Sequence, residues 1–473
     1  MFLETIKKNS VFKFFYKLPW LVSLYHFSLA FLGGLLYGFP SRKLIVIGVT
    51  GTKGKTTTCN LIKQILEGAG RKTGMITTVN MSDGDKEWIN DLKQTMPGRF
   101  MLQKLLSQMV KNGCKYAVIE TPSEGILQYR HKFIDYRVAV FTNLSPEHIE
   151  RHGSFEKYRE TKVKLFEKAA KRSDGIGVYN LDDENIDYFL APHIPIQYGY
   201  TIKDNHTIKN NRNSAPFNSC FSKPKRFNVA DIVLGRGKTS FTFNGEKFEL
   251  PLIGEFNVYN AAAAICAALS QNIPMAKIKE VLRRAKPAPG RLEIVDKGQN
   301  FTVIVDYAHE PASLEAVYKT ITNLHLSPTN NTNIREIRGH IRTHSRKGKL
   351  ICLLGSQGGG RDKWKRVAMG KIAAEYCDCI VLTNEDPYDE PPLDILKDIE
   401  NGISANPRFN PRKSTLWKII DRREAIKKAI SLAQKGDAAV LTGKGGEVWM
   451  CVEDSKKIPW EEKKIVEEVL NER

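Results

Sequence analysis

Residues 43–68 read KLIVIGVTGTKGKTTTCNLIKQILEG, and this stretch decides the fold. Its first seven residues, Lys43–Val49, form a continuous apolar run, as a strand buried on both faces of a parallel sheet requires. Thr57–Gly68 then carries helical spacing. Between them lies Gly51-Thr-Lys-Gly-Lys-Thr-Thr57. A glycine- and threonine-rich loop between strand and helix turns backbone N–H groups inward, and the helix N-terminus adds positive potential. That is a cradle for phosphate oxygens. Lys55 is placed to reach β- and γ-phosphates and Thr56 to ligate Mg²⁺. Val49 stands where the strict phosphate-loop spacing has its first glycine, so the local form GTKGKTT carries the reading. The bland alternative is a glycine-rich turn with no ligand.

Outward from this loop the alternation continues. Tyr116–Ile119 and Val138–Phe141 read as further buried strands, and Phe155–Lys171 as a helix. Residues 200–228 are rich in Asn, Lys and Ser and read as a surface excursion. Residues 231–250, with the Asn244-Gly245 turn, predict antiparallel strands. Asn257–Ser270, with four consecutive alanines, predicts a helix. Pro287-Ala-Pro-Gly290 marks a boundary. A second alternation follows, with strands at Phe301–Val305, Leu350–Leu354, Cys379–Leu382 and Ala438–Leu441. The expected fold is α/β: a central P-loop-type ATPase domain with a mostly parallel sheet, then a C-terminal Rossmann-like α/β domain. The expected divisions are a hydrophobic helical segment at 1–40, an ATP-binding domain at 41–290 and a C-terminal domain at 291–473. A basic stretch at about 325–348 reads as a solvated loop insertion.

At 473 residues, two or three domains are expected. The net charge of +20 suits anionic small substrates, nucleic acid or an acidic membrane surface. No nucleic-acid-binding motif occurs, so nucleic acid is not expected as a partner. The eight cysteines are scattered without a CxxC pair, which predicts reduced thiols in a cytosolic protein. Residues 20–39 lack formal charge and are long enough to span a bilayer, but they include His26, Ser23, Ser28 and three glycines. Lys7, Lys8, Lys13 and Lys17 precede the segment, and Arg42 and Lys43 follow it. Spanning would export the ATP-using part of the chain, so a helix packed on the next domain or lying in the membrane interface is expected. The expected location is the cytoplasm, with association to a membrane through 20–39, and the expected state is a monomer. No cleavage site follows the apolar run.

Several further motifs stand in order along the chain. They are Gln94-Thr-Met-Pro97, Ile119-Glu-Thr-Pro-Ser-Glu-Gly-Ile-Leu-Gln-Tyr-Arg130, Phe141-Thr-Asn-Leu-Ser-Pro-Glu-His148 and His152-Gly153. Tyr158, Lys162 and Leu165-Phe166 come next, then Gly254-Glu-Phe-Asn-Val-Tyr-Asn260 and Pro289-Gly-Arg291. Val305-Asp-Tyr-Ala-His309, Gly359-Gly-Arg-Asp-Lys363 and Gly443-Lys-Gly-Gly-Glu447 complete the set. With GTKGKTT, this series resembles the Mur ligases from about Leu44 to Glu447, and within them the tripeptide synthetases.

The resemblance implies an ATP- and Mg²⁺-dependent ligase that joins an amino acid to a nucleotide-sugar peptide through an acyl phosphate. It assigns Gly51, Thr52, Lys53, Gly54, Lys55, Thr56 and Thr57 to the phosphates, and Asn257, Asn260, Arg291 and Asp306 to the rest of ATP. Thr56, Glu120, His148 and Lys162 would hold metal, Lys162 as a carbamate, with Lys55, Glu120, His148 and Lys162 as the catalytic set. A free lysine is neutral at pH 7 only at a level of order 10⁻³, and only the neutral amine takes up CO₂. The bland reading of Lys162 is a helix-surface lysine among Lys157, Lys164 and Lys168. Thr95, Ser123, Gln128 and Arg130 match acceptor-binding positions. Arg361, Glu385, Asp386, Gly443 and Glu447 match amino-acid contacts. Asn, Arg and Asp at element ends also serve as plain caps and ion pairs.

Three departures bear on specificity. Only about 40 residues precede the ATP loop, where the family carries a uridine-binding domain. Pro122-Ser123-Glu124 replaces the Ser-Ser-His of the acceptor segment. Glu385-Asp386-Pro387-Tyr388 stands where the family selects its amino acid, and Tyr388 replaces the arginine that grips the distal carboxylate of diaminopimelate. Acidic Glu385, Asp386, Asp389 and Glu390 favour lysine or another diamino acid. The alternatives are a folylpolyglutamate- or cyanophycin-type ligase of the same superfamily, and a nucleotide-binding scaffold without ligase activity.

Overall fold

The computed structural model describes residues 19–92, 94–147, 152–202, 223–235, 237–325, 331–333, 348–360, 363–408 and 415–473. The chain forms two compact units. The first comprises residues 1–88, 92–229 and 259–281, and the second 89–91, 230–258 and 282–473.

The first unit is built on a mostly parallel sheet. Its strands are β1 (Ile45–Thr50), β2 (Thr73–Ile76), β3 (Asn80–Ser82), β4 (Glu87–Ile89), β5 (Tyr116–Glu120), β6 (Tyr136–Phe141), β7 (Ile176–Asn180) and β8 (Ile196–Thr201). They run in the order β4-β3-β2-β5-β1-β6-β7-β8, followed by the first residues of β9 (Lys225–Gly235). All these pairs from β2 to β9 are parallel, and β3 is antiparallel to β2. β1 therefore lies between β5 and β6, and the chain leaves it toward one side and returns on the other. Such a switch point opens a crevice at the carboxyl ends of the strands. The register sets Val49 opposite Glu120 and Thr50 opposite Phe141, which brings the residues after β5 and β6 beside the loop after β1.

Helices α2 (Lys55–Gly68), α3 (Arg99–Lys111) and α5 (Phe155–Ala170) pack on this sheet, α1 (Pro19–Leu36) packs on α3, α4 (Ser123–Leu127) packs on α5, and α6 (Glu255–Leu269) carries the chain from the second unit into the first. α5 shows why its residues form a helix. The Ser154 side chain accepts from the Lys157 N–H at its start, and Tyr158, Thr161, Lys162, Leu165, Phe166 and Ala169 recur on one buried face. Tyr158, Leu165 and Phe166 join Val46, Ile119, Ala139 and Phe141 in the core.

In the second unit the remainder of β9 pairs with β14 (Asn331–Asn333) and leads to the hairpin β10 (Thr239–Phe243) and β11 (Glu246–Leu250). Asn244 and Gly245 turn that hairpin at positive φ, as the sequence predicts. A second sheet follows, in the order β12 (Glu293–Val295), β13 (Thr302–Val305), β18 (Ala438–Leu441), β15 (Leu350–Leu354), β16 (Cys379–Leu382) and β17 (Thr415–Lys418). β12 alone is antiparallel to its neighbour. β19 (Trp449–Cys451) and β20 (Lys457–Pro459) form a separate hairpin. α7 (Trp364–Tyr376), α8 (Arg422–Leu432) and α9 (Glu462–Asn471) are among the unit's helices. The central strands β15, β16 and β18 are apolar and buried along their whole length, as strands covered on both faces are.

The expected α/β architecture is present, with β15, β16 and β18 at the bounds read from the sequence. One expectation is corrected. Cys352 on β15 and Cys377 after α7 form a disulfide, their Cα atoms 6.0 Å apart. Spacing along the chain gave no sign of it, because the pair is made only when α7 returns its C-terminus to the strand it followed. Cys59, Cys114, Cys266, Cys379 and Cys451 are free and buried. Most of the basic stretch at 325–348 and of the excursion at 200–228 lies outside the described residues. No described helix is long and apolar enough to cross a membrane.

Candidate active site

The loop between β1 and α2 is held from behind. Thr52 N–H donates to the Asn143 carbonyl and Lys53 N–H to Asn143 Oδ1, at 2.8 and 2.9 Å. Thr142 Oγ1 and Asn143 Nδ2 donate back to the Lys53 carbonyl. Gly54, at φ 80°, is the residue before α2, and a side chain there would strike Asn260 Oδ1. Only glycine fits both constraints. Asn260, on α6, also accepts from Thr58 Oγ1. Lys55 Nζ donates to the Thr52 carbonyl at 2.8 Å, folded over the cradle it is expected to serve.

A buried carboxylate stands beside the loop. Thr56 Oγ1 donates to Glu120 Oε2 at 2.8 Å. Thr78 donates its N–H to the same oxygen and its Oγ1 to Oε1. Thr78 Oγ1 in turn meets Thr95 Oγ1 at 2.9 Å. The threonine hydroxyls and the carboxylate are hard oxygen donors at a helix N-terminus, and their chemistry fits Mg²⁺. Thr78 was not foreseen. The signal was indirect: Ile76 of β2 pairs with Ile119 of β5, so the residues just past β2 fall beside Glu120.

Lys162 lies on the buried face of α5, only 1 % exposed. Its Nζ donates to the Gly51 carbonyl at 2.7 Å and sits 4.6 Å from the centre of the Tyr158 ring. The surface-lysine reading is therefore excluded for Lys162. Burial drives its pKa well below the usual lysine range, and the nearby Lys55 charge adds to the shift. Tyr158 OH meets Thr52 Oγ1, and Ser145 N–H donates to the same Thr52 oxygen. His148 lies outside the described residues. His152 Nε2 meets Ser123 Oγ at 3.1 Å.

Of the expected acceptor residues, Gln128 and Arg130 lie against the segment that carries Thr95, while Ser123 meets His152. Arg130 donates to Gln128 Oε1, to Gln94 Oε1 and to the Met96 carbonyl. Two segments more than thirty residues apart thus form one surface, with Thr95 linked to Glu120 through Thr78.

In the second unit Asp306 is buried and accepts from the N–H groups of Leu292 and Ala308, at 2.7 and 2.8 Å. It clasps the Pro289-Gly-Arg291 turn to the end of β13. Burial raises its pKa and the Arg291 charge opposes the rise. The Arg291 guanidinium stacks 4.3 Å from the Tyr307 ring centre, and its Nε has no hydrogen-bond partner. Asn257 Nδ2 donates to the Ile253 carbonyl. The residue borders a cleft with Leu252, Ile253, Leu292 and Ile294.

The acidic residues after β16 separate by their partners. Asp386 Oδ1 accepts from Lys444 Nζ and from Cys451 N–H. Lys444 also binds Glu447, and Tyr307 OH donates to Glu447 Oε1. Glu390 is held by a two-fold bond from Arg366 and by Lys363, which pull its pKa down to about 2. Asp389 accepts from Asp454 N–H. Glu385 alone is both buried and unpaired among these four. Neither carboxylate oxygen has a hydrogen-bond partner, and burial pushes its pKa up to about 7. Gly443, at φ 105°, leaves room for that carboxylate, since a side chain there would meet Glu385 Oε2. Arg361 lies outside the described residues.

Arg422 was missed from the sequence and organises this end of the sheet. It makes a fully buried pair with Glu462 and donates to the carbonyls of Asn384 and Thr442, the residues just before Glu385 and Gly443. Its sequence signal was that of any helix-start arginine. Glu462→Ala strands a buried guanidinium, so a loss of about 3–5 kcal/mol is expected in urea unfolding followed by tryptophan fluorescence. A change within 0.5 kcal/mol would show that the pair does not hold the two loops.

A phosphate cradle backed by a buried carboxylate, at the switch point of a parallel sheet, places the chain among the P-loop enzymes that act on nucleoside triphosphates. A model of the Mur ligase middle domain matches residues 49–268, and one of the Mur ligase glutamate ligase domain matches residues 328–445. The UDP-N-acetylmuramoyl-L-alanyl-D-glutamate--2,6-diaminopimelate ligase of Geobacillus thermodenitrificans is 35% identical over 454 residues, covering 94% of this chain and 83% of that protein. A ligase of the same description from Clostridium acetobutylicum is 35% identical over 453 residues, covering 94% and 82%. A solved structure of such a diaminopimelate ligase superposes with a TM-score of 0.57 at 27% identity, over 91% of this chain and 78% of that one. Mycobacterium tuberculosis folylpolyglutamate synthase shares the fold, with a TM-score of 0.63 at 19% identity over 88% and 92%. The chain belongs to the Mur ligase family of ATP-dependent, amide-bond-forming ligases.

Proposed function

We propose that this chain joins an amino acid to a UDP-N-acetylmuramoyl-dipeptide-like acceptor during peptidoglycan precursor synthesis. The observation that carries the reading is the Thr56–Glu120–Thr78 cluster beside the buried Lys162, all at the mouth of the phosphate loop. Residues 51–57 bind the ATP phosphates. Asn257, Asn260, Arg291 and Asp306 serve the rest of the nucleotide, with 41–290 as the ATP-binding domain and 291–473 as its C-terminal companion. Thr95, Ser123, Gln128 and Arg130 hold the acceptor. Thr56 and Glu120 hold one Mg²⁺, and His148 and a Lys162 carbamate serve a second near the acceptor carboxylate. The metal supplies charge neutralisation where two anions must meet.

An acceptor carboxylate oxygen attacks the γ-phosphorus, the bond to the β-bridging oxygen breaks and ADP leaves. Lys55 follows the transferred phosphoryl group and offsets its charge. The amine then attacks the acyl phosphate carbon, phosphate departs and the nitrogen loses a proton. The incoming amino acid lies near Arg361, Glu385, Asp386, Gly443 and Glu447. The unpaired Glu385 favours a diamino acid, whose second ammonium it would meet. The chain works as a monomer on the cytosolic side, with residues 20–39 in contact with a membrane surface.

Phosphate release from ATP is expected to require both a muramyl-peptide acceptor and an amino acid. ATP turnover indifferent to both would replace the ligase reading with a nucleotide-driven switch.

A further inference from the structure

α1 fully buries only small residues and leaves most of its large apolar side chains exposed. Its fully buried positions are the small Ala30, Gly33 and Gly34, and its half-buried ones are Leu21, Val22, Ser23, His26, Ser28 and Leu29. Gly33 lets the helix approach the backbone of Arg99 and Phe100 on α3, and Gly34 leaves space for the Phe39 ring. Trp20, Leu24, Tyr25, Leu32 and Leu35 face outward, with Leu36 69 % exposed at the end, and the half-exposed Phe27 and Phe31 rest against the Phe133 ring. A soluble protein buries its large apolar side chains and exposes polar ones; a helix solvated by lipid packs through small residues and turns the large ones outward. The apolar surface continues onto Phe100, Met101 and Leu127, which are also exposed.

Charge completes the pattern. From residue 1 to residue 66 the only acidic residue is Glu4, while Lys7, Lys8, Lys13, Lys17, Arg42 and Lys43 flank the helix. Basic residues that bracket an apolar helix in the sequence match an anionic lipid surface, each contributing attraction that salt screens. A protein groove would supply apolar area without calling for this excess of one sign.

We infer that the outward face of α1 docks on an anionic phospholipid bilayer, holding the acceptor-binding segment beside that surface. The link to the acceptor segment is direct. His26 of α1 bonds Arg99 of α3, and Arg99 Nε donates to the carbonyl of Gln128 at 2.9 Å. Gln128 in turn receives Arg130. Burial, with the charges of Arg99 and Arg130, lowers the His26 pKa to about 4, so the inward side of α1 carries no added charge at neutral pH.

The inference deepens the membrane contact included in the proposed function and rests on it. The test is sedimentation of the full chain with vesicles of phosphatidylglycerol and phosphatidylcholine in equal parts, and with vesicles of phosphatidylcholine alone. Binding at least tenfold tighter to the anionic vesicles, weakened by 0.5 M NaCl, is expected. The triple variant Leu24→Ser, Leu32→Ser, Leu35→Ser should lose at least tenfold of that binding while keeping its circular dichroism and its turnover of soluble acceptor. Equal binding to both vesicle types overturns the anionic assignment and leaves the membrane contact standing. Binding to neither overturns both, as does a chain that dimerises through α1 and ignores vesicles. The vesicle-binding readings do not depend on ligase turnover.

Discussion

Lys162→Ala is expected to lower the rate of amide synthesis by at least about 10²–10³-fold, the scale on which one preorganised electrostatic contact acts in a transition state. Lys162 is fully buried, with its nitrogen against the Gly51 carbonyl. A permanent ammonium there would set a second cation beside Lys55, in a place where water cannot solvate it. Burial and that neighbouring charge both favour the neutral amine. The neutral amine is the form that reacts with CO₂, and the resulting carbamate reverses the charge to suit a metal-binding anion. Truncation to alanine would remove the proposed carbamate and open space for a small anion. Formate or acetate at tens of millimolar should therefore restore part of the rate, and Lys162→Arg should remain inactive with or without them. In the parent chain, depletion of CO₂ should lower the rate and bicarbonate should return it. Undiminished turnover by Lys162→Ala would remove this residue from the site. Loss of activity that no carboxylate relieves would make it a plain clamp on the loop.

What the sequence disclosed follows from how local each feature is. β1, the loop and α2 were legible because burial on both faces, glycine requirements and helix start all fall within 26 contiguous residues. β15, β16 and β18 were legible for the same reason, as short unbroken apolar runs. The approach of Glu120 to Thr56 is different: it depends on β5 lying beside β1 in a set register, which no local pattern encodes. Resemblance to known ligases supplied it, and the sheet supplies its cause. Thr78 and Arg422 had neither a local pattern nor a matched motif. Their roles come wholly from residues 42 and 40 positions away, Glu120 and Glu462. The Cys352–Cys377 bond was hidden for the same reason. Charge type along the chain also misled by grouping Glu385, Asp386, Asp389 and Glu390 as one acidic cluster. In the fold three of them are spent on Lys444, the Asp454 N–H and Arg366, and one is left over.

That remaining carboxylate carries the second large effect. Glu385→Gln should raise KM for a diamino acid by roughly 10- to 150-fold, the worth of a hydrogen bond to a charged partner at about 1.5–3 kcal/mol. An amino acid with an apolar side chain should be affected far less. The pH dependence has a definite sign. With its pKa near 7, Glu385 is protonated in the empty site below that value and ionised above it. An ammonium ligand needs the ionised form, so affinity for the diamino acid should rise with pH through 7 and level off near 8. Stability runs the other way. The folded pKa lies above the ordinary value of 4.5, so the folded chain binds the extra proton between about 4.5 and 7. The stabilisation from that proton is complete below 4.5 and is lost as pH rises through 7. The difference corresponds to about 3 kcal/mol. Glutamine cannot ionise, so the variant should unfold several degrees above the parent at pH 8, and the gap should close toward pH 5. A site kept for binding at the expense of stability predicts both shifts together. A variant with unchanged KM and unchanged Tm at pH 8 would mean that Glu385 finds a protein partner and never meets the substrate.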